Sequence, residues 1–234
     1  MKTVNGMVAK AAGAVLVALA TAGVARGDTM TLTFDGVSPG RSIGWSLNYG
    51  GSGTSSVGVF NWAGGVRTFC AQIEENISVG QTVTFDVVDV AEVPDGGAGN
   101  DPTQPNQMGA TKSAQVQTAY ALWYANSLMA SADLSAAFQM VIWEISHEQG
   151  GMSGGYKINT GSARFASNST VESQATAWLD EINSRTLTGG LLGFSQLRGL
   201  THVNYQDQLI VVPGAGSLAG LAGIAAIGRR RRRR

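Results

Sequence analysis

AAFQMVIWEISHE, residues 136–148, is the stretch from which the rest of the chain can be read. Phe138, Val141, Ile142 and Ile145 recur at three- and four-residue intervals, which makes one apolar stripe on a helix. Asp133 is the expected N-cap, a short acceptor over the first turn's N–H groups. Gly150 and Gly151 are the expected stop. Inside the apolar run stands Gln139. A carboxamide buried without partners costs about 1–3 kcal/mol, so it must be hydrogen-bonded to something. The candidate partner is the chain's only cysteine, Cys70.

On the N-terminal side, helical spacing also marks 112–131, where Val116, Ala119, Tyr120, Trp123 and Leu128 fall near one face. The two segments together predict an antiparallel helical hairpin. On the C-terminal side, Ser169-Thr170-Val171-Glu172 has the form of a capping box opening a third helix, with Ala175, Trp178, Leu179 and Ile182 inward.

The remainder reads as strands. Gln81 to Val90 is β-branched, aromatic and alternating. Thr29 to Phe34 alternates as a half-buried strand does. Ile43 to Leu47 and Val57 to Trp62 are further short strands, and Val66 to Ile73 carries Cys70. Leu191 to Phe194 and Leu209 to Val212 are expected to close the sheet. Pro94, Pro102, Pro105 and several glycines make 91–111 a polar loop or junction. The 32 glycines favour a turn-rich β body. The fold class is α+β: an antiparallel β-sandwich or barrel with an inserted small helical subdomain.

The formal net charge is zero, but the charges are segregated. Three basic residues lie in the first 26 positions and six arginines end the chain. Residues 28–228 hold seven basic and sixteen acidic groups, a net of −9. Such a body repels phosphate backbones, so no nucleic-acid partner is expected. Residues 1–27 have the pattern of a signal peptide. Lys2 and Lys10 precede the apolar run Ala11 to Ala20, and Ala25-Arg26-Gly27 offers small residues for cleavage. The division is then 1–27 signal peptide, 28–208 body and 209–234 tail. In the tail, Val212-Pro213-Gly214-Ala215-Gly216 leads into an apolar stretch. Arg229, Arg230 and Arg231 begin the basic run, which reads as a positive-inside membrane stop.

In an exported chain, one cysteine cannot make an internal disulfide, so the thiol is inert, reactive or otherwise bonded. Two distant histidines and one cysteine lack metal-ligand spacing. No metal and no cofactor is expected. His147, eight residues past Gln139, returns to roughly the same helix face and is a candidate base. The plainer expectation is a surface histidine at a helix end. His202 has no motif around it.

Two family resemblances follow from these residues. The tail resembles the PEP-CTERM class of sorting signals, with Val-Pro-Gly-Ala-Gly where Pro-Glu-Pro is usual. The resemblance implies an exosortase-like processing enzyme as partner, a transient inner-membrane anchor, and a final place at the cell envelope, cell surface or extracellular matrix. The body, over roughly 55–185, resembles the bacterial thioester domain of the TQXA type. Phe69-Cys70 is similar to its aromatic-cysteine motif, and Phe138-Gln139-Met140-Val141-Ile142-Trp143 to its glutamine motif. Phe138 stands where threonine is usual and Ala71 where isoleucine is usual. The resemblance implies an internal thioester between Cys70 and Gln139 that attaches once to an amine or hydroxyl partner. It implies an adhesin or crosslinker and not a turning-over enzyme. Two alternatives stay open: a structural envelope or matrix protein, and a Cys70-dependent hydrolase or transglutaminase using His147 or His202 as base.

Overall fold

The computed structural model describes residues 27–94, 107–129, 131–149 and 154–212. The leader, the apolar and arginine-rich tail with Pro213, Gly214 and Arg229 to Arg231, and the expected helix stop at Gly150-Gly151 lie outside them.

Seven antiparallel strands and three helices make up the described fold. The strands are β1 Thr29–Leu47, β2 Ser52–Trp62, β3 Val66–Cys70, β4 Thr82–Val88, β5 Ala163–Ala166, β6 Leu197–Thr201 and β7 Gln208–Val211. The sheet order is β2-β3-β7-β6-β4-β1-β5, and β1 also pairs with β2. Six strands therefore close on themselves through β1, with β5 added at its far end. Of the two expected forms, this closure is that of a barrel.

β1 is one long strand where sequence patterning marks two short ones. Its first residues pair with β4, the next with β2, and the last with both β2 and β5. Register shifts at Phe34/Gly36 and Val37/Gly40 bend it between these partners. At the bend, Gly40 and Gly58 approach so closely that a side chain on either would strike the other strand's backbone. Gly58 also has φ of +138°, which side chains disfavour. β4 alternates as its sequence demands: Val83, Phe85 and Val87 inward, Thr82, Thr84 and Asp86 outward. Thr82 and Thr84 hydrogen-bond across to Thr33 and Thr31, 2.8 Å each.

The helices are α1 Gly109–Met129, α2 Ala132–His147 and α3 Ser169–Thr188. α1 begins inside the expected polar junction. α2 is buried continuously from Ser135 to His147, not on one stripe only. It packs on α1 and α3 on one side and on β1, β2, β3 and β5 on the other. Its N-cap is Ser131, whose side chain accepts from the Leu134 N–H at 3.2 Å. Asp133 is turned instead toward Arg41, 2.7 Å away. The α3 box is shifted by one residue. Asn168 caps the Val171 N–H at 3.0 Å, and Glu172 accepts from Ser167 N–H at 2.7 Å.

Leu191 to Phe194 is not a strand; the Leu192 N–H bonds the Thr118 hydroxyl of α1 at 2.8 Å. β6 begins at Leu197, further along the chain. The expected boundary at 208/209 falls inside β7, which runs between β3 and β6, so the folded body continues through Val211. Among the described residues, no helix is long and apolar enough to cross a membrane.

Candidate functional site

Cys70 is the last residue of β3. On one edge β3 pairs with β7, with Cys70 opposite Gln208. On the other edge the ladder with β2 ends at Phe60–Thr68. Beyond that rung the Cys70 backbone needs another partner, and Gln139 supplies it. Its Oε1 accepts from the Cys70 N–H at 2.9 Å, and its Nε2 donates to the Cys70 carbonyl at 2.5 Å. A carboxamide carries the same donor and acceptor as a peptide group, so the side chain acts as one further rung of sheet. The two residues are 69 positions apart and both are fully buried.

The Cys70 sulfur donates to the Gln72 carbonyl at 2.7 Å. Burial pushes the thiol pKa well above its ordinary value. The Gln72 backbone and the nearby Trp143 indole oppose this, and the charges of Asp207 and Glu74 add to it. The thiol is therefore neutral near pH 7. The Trp143 Nε1 and the Tyr120 hydroxyl are buried and have no close hydrogen-bond acceptor among the described residues. Aromatic rings close the rest of the wall. Phe69 lies 4.8 Å from Phe138 and 6.4 Å from Tyr120, and Trp143 stacks on Phe165 at 6.2 Å.

His147 is buried, which corrects the expectation of a surface histidine. Gln139, Trp143 and His147 recur every fourth residue of α2 and face the chain leaving β3. His147 Nε2 lies 3.2 Å from the Ile73 backbone nitrogen and 3.1 Å from Glu74 Oε2. Its Nδ1 lies 2.7 Å from the Ser146 hydroxyl and 3.1 Å from the Trp143 carbonyl. These contacts tie down residues 73–74 and do not reach the sulfur or the carboxamide. Burial pushes the Glu74 carboxyl up, but the adjacent imidazole and the hydrogen bonds from His147, its own backbone and Tyr49 outweigh it and hold its pKa below the ordinary value. His202 Nδ1 accepts from Asn204 N–H at 3.1 Å and its ring packs on Phe85 and Tyr205. None of these His202 contacts involves Cys70.

Several contributors carry no motif in the sequence. Gln72, Gln206, Asp207 and Gln208 form a buried polar belt beside Cys70. Gln206 Nε2 donates to the same Gln72 carbonyl that receives the thiol, at 3.3 Å. Asp207 N–H donates to Gln72 Oε1 at 3.3 Å, and Ala71 N–H to the Asp207 carbonyl at 2.8 Å. The one available signal was the polar run Gln206-Asp207-Gln208 directly before an apolar strand. Among the described residues no group of three His, Cys, Asp or Glu side chains is placed to hold a metal ion. Comparison with family models, with curated proteins and with solved structures finds no match to this chain.

Proposed function

We propose that the chain is an exported, surface-sorted protein in which Cys70 and Gln139 form an internal thioester that attaches covalently, once, to an amine or hydroxyl partner. The observation that carries this reading is the mutual contact of the thiol-bearing residue and the carboxamide in a buried site walled in part by aromatic rings. In the forming step the sulfur leaves the Gln72 carbonyl and attacks Gln139 Cδ. The C–N bond breaks, the thiol proton goes to the departing nitrogen, and ammonia is released. Negative charge developing on Oε1 meets the Cys70 N–H, already 2.9 Å away and fixed by the strand. Holding the groups in place offsets part of the barrel-bound amide's low reactivity; well-oriented intramolecular reactions gain about 7–11 kcal/mol. In the attaching step a partner nitrogen or oxygen bonds to the acyl carbon, the C–S bond breaks, and the partner's proton passes to sulfur.

Export and surface sorting rest on the leader, the Val212-Pro213-Gly214 motif, the apolar stretch and Arg229 to Arg231. An exosortase-like enzyme is the proposed processing partner, with the membrane a transient anchor. A hydrolase reading is weakened by the raised thiol pKa and by two histidines engaged elsewhere.

A second reading has one observation in its favour. Gln139 already satisfies both its polar ends on the Cys70 backbone, as a purely structural core residue would. Peptide mapping after methylamine treatment separates the two. The thioester reading predicts methylamide at Gln139 and a Cys70 thiol that alkylates, after denaturation, only in treated protein. Alkylation of Cys70 in untreated, denatured protein supports the structural role.

A further inference from the structure

Trp143 carries a buried donor that the resting fold leaves unused. The residue is 1% exposed, and its Nε1–H has no hydrogen-bond partner among the described residues. A buried N–H left unpaired costs free energy, so the position calls for a reason. Trp62 and Trp45, by contrast, donate theirs to the Thr68 and Ser55 hydroxyls, at 2.8 and 2.9 Å.

The place of the ring supplies one. Trp143 follows Gln139 by about one helical turn, so both side chains leave the same face of α2. Gln139 meets the Cys70 backbone, and the indole lies beside the Cys70 sulfur. Full enclosure and the stack on Phe165 hold the ring there. An indole N–H can only donate, and unlike a hydroxyl it cannot turn apart from its ring.

The resting sulfur makes no use of that donor, because the thiol gives its own proton to the Gln72 carbonyl at 2.7 Å. A sulfur carrying negative charge can no longer donate there, and the charges of Asp207 and Glu74 act against it. Of the side chains that act on the thiol, the Trp143 indole is the one that favours its anion.

We propose that the Trp143 indole N–H stabilises the Cys70 sulfur while charge develops on it, both when the carbon–sulfur bond forms and when it breaks. The inference rests on the thioester reading above. In the attaching step the partner nitrogen bonds to the Gln139 acyl carbon, and the C–S bond breaks with its electron pair left on sulfur. The indole donates to that sulfur and keeps its own proton. The proton lost by the partner nitrogen passes to sulfur, which becomes the thiol again. The unpaired donor of the resting fold thus makes its bond only in the transition state.

The test uses the full-length chain and follows methylamine uptake by mass. Trp143→Phe removes the N–H and part of the ring system. Trp143→benzothienylalanine removes the N–H alone, with sulfur in its place. Both are expected to react roughly tenfold more slowly than wild type, a smaller loss than for an oxyanion donor because sulfur is the weaker acceptor. Trp45→Phe, which loses a paired indole N–H, is expected to react at the wild-type rate. Denaturant unfolding is the second readout: the benzothienylalanine variant should be at least as stable as wild type, since it leaves no donor unpaired. A folded benzothienylalanine variant that arrives at full mass also supports the proposal, because bond formation passes through the same charged sulfur. A rate within twofold of wild type, or faster, overturns it. So does a benzothienylalanine variant less stable than wild type, since the N–H would then be bonded at rest. Should Trp143→Phe fail to fold, the isosteric variant decides. Wild type that arrives at full mass and takes up no methylamine removes the thioester and the donor together. Wild type that reacts, matched in rate by the isosteric variant, removes the donor alone.

Discussion

Gln139 and Glu144 lie five residues apart on α2, both fully buried, and the fold treats them differently. Gln139 meets the exposed end of a β ladder and has a partner for each polar atom. Glu144 accepts from Lys157 N–H at 3.0 Å through Oε1, while Oε2 has no hydrogen-bond partner among the described residues. Its pKa is pushed up to about 8, chiefly by burial, with the Glu148 charge adding to this and the Lys157 N–H and Lys112 ammonium opposing it. A neutral amide can be buried where its geometry is matched. An acid buried without a full partner set keeps its proton instead.

The largest effect is expected at Gln139. Gln139→Ala strands the Cys70 N–H and carbonyl in the core and opens a cavity, at a cost of roughly 4–6 kcal/mol. Denaturant unfolding measures it; a loss under about 1 kcal/mol would remove the contrast between the two positions.

Glu144 comes next and has the opposite sign. Its folded pKa is raised, so the stability it contributes is fully present below the ordinary carboxylate pKa of 4.5 and is lost as pH rises to about 8. Glu144→Gln is expected to stabilise the protein at pH 9, by at most of order 4 kcal/mol, and to change little near pH 4. A pH series of thermal unfolding checks this, and parallel curves for variant and wild type would refute it.

Glu74 is expected to show a smaller effect in the reverse direction. Its folded pKa is depressed, so its contribution is present above the ordinary carboxylate range and is lost as pH falls through it. Glu74→Gln should cost about 1–2 kcal/mol at pH 7 and progressively less in acid. The smallest effect is expected at the exposed Arg41–Asp133 pair, where Asp133→Asn should leave the melting temperature within error.

Much of the sheet is legible because β4 and the start of β1 alternate strictly, and the pattern of α3 survives because its inner face is an ordinary apolar stripe. What misleads is tertiary. Asp133 looks like a cap but is drawn to Arg41, 92 positions away, leaving Ser131 to cap α2. The two strands of β1 merge because bulges at glycines let one strand serve three neighbours. β5 has only two inward side chains, Ala163 and Phe165, too few to stand out. On α2 the stripe understates burial: Glu144, Ser146 and His147 are buried as well, against Lys157, Lys112 and the 73–74 segment.

The site divides in the same way. Cys70 and Gln139 are identifiable by type and by resemblance, since a lone thiol and a core carboxamide are both unusual. Gln72, Gln206 and Asp207 are not, because their role depends on β7 lying beside β3, a pairing that joins residues about 140 positions apart. Tyr120 reads as ordinary core because nothing in a helical pattern reveals a hydroxyl without an acceptor.

Intact mass of the native protein, taken at neutral pH without reductant, tests the central claim most directly. A bonded Cys70–Gln139 pair gives a chain lighter by one ammonia than its termini require, and methylamine then adds its whole mass while liberating one thiol. A chain at full mass, with a thiol titratable on unfolding and no response to methylamine, would contradict the account.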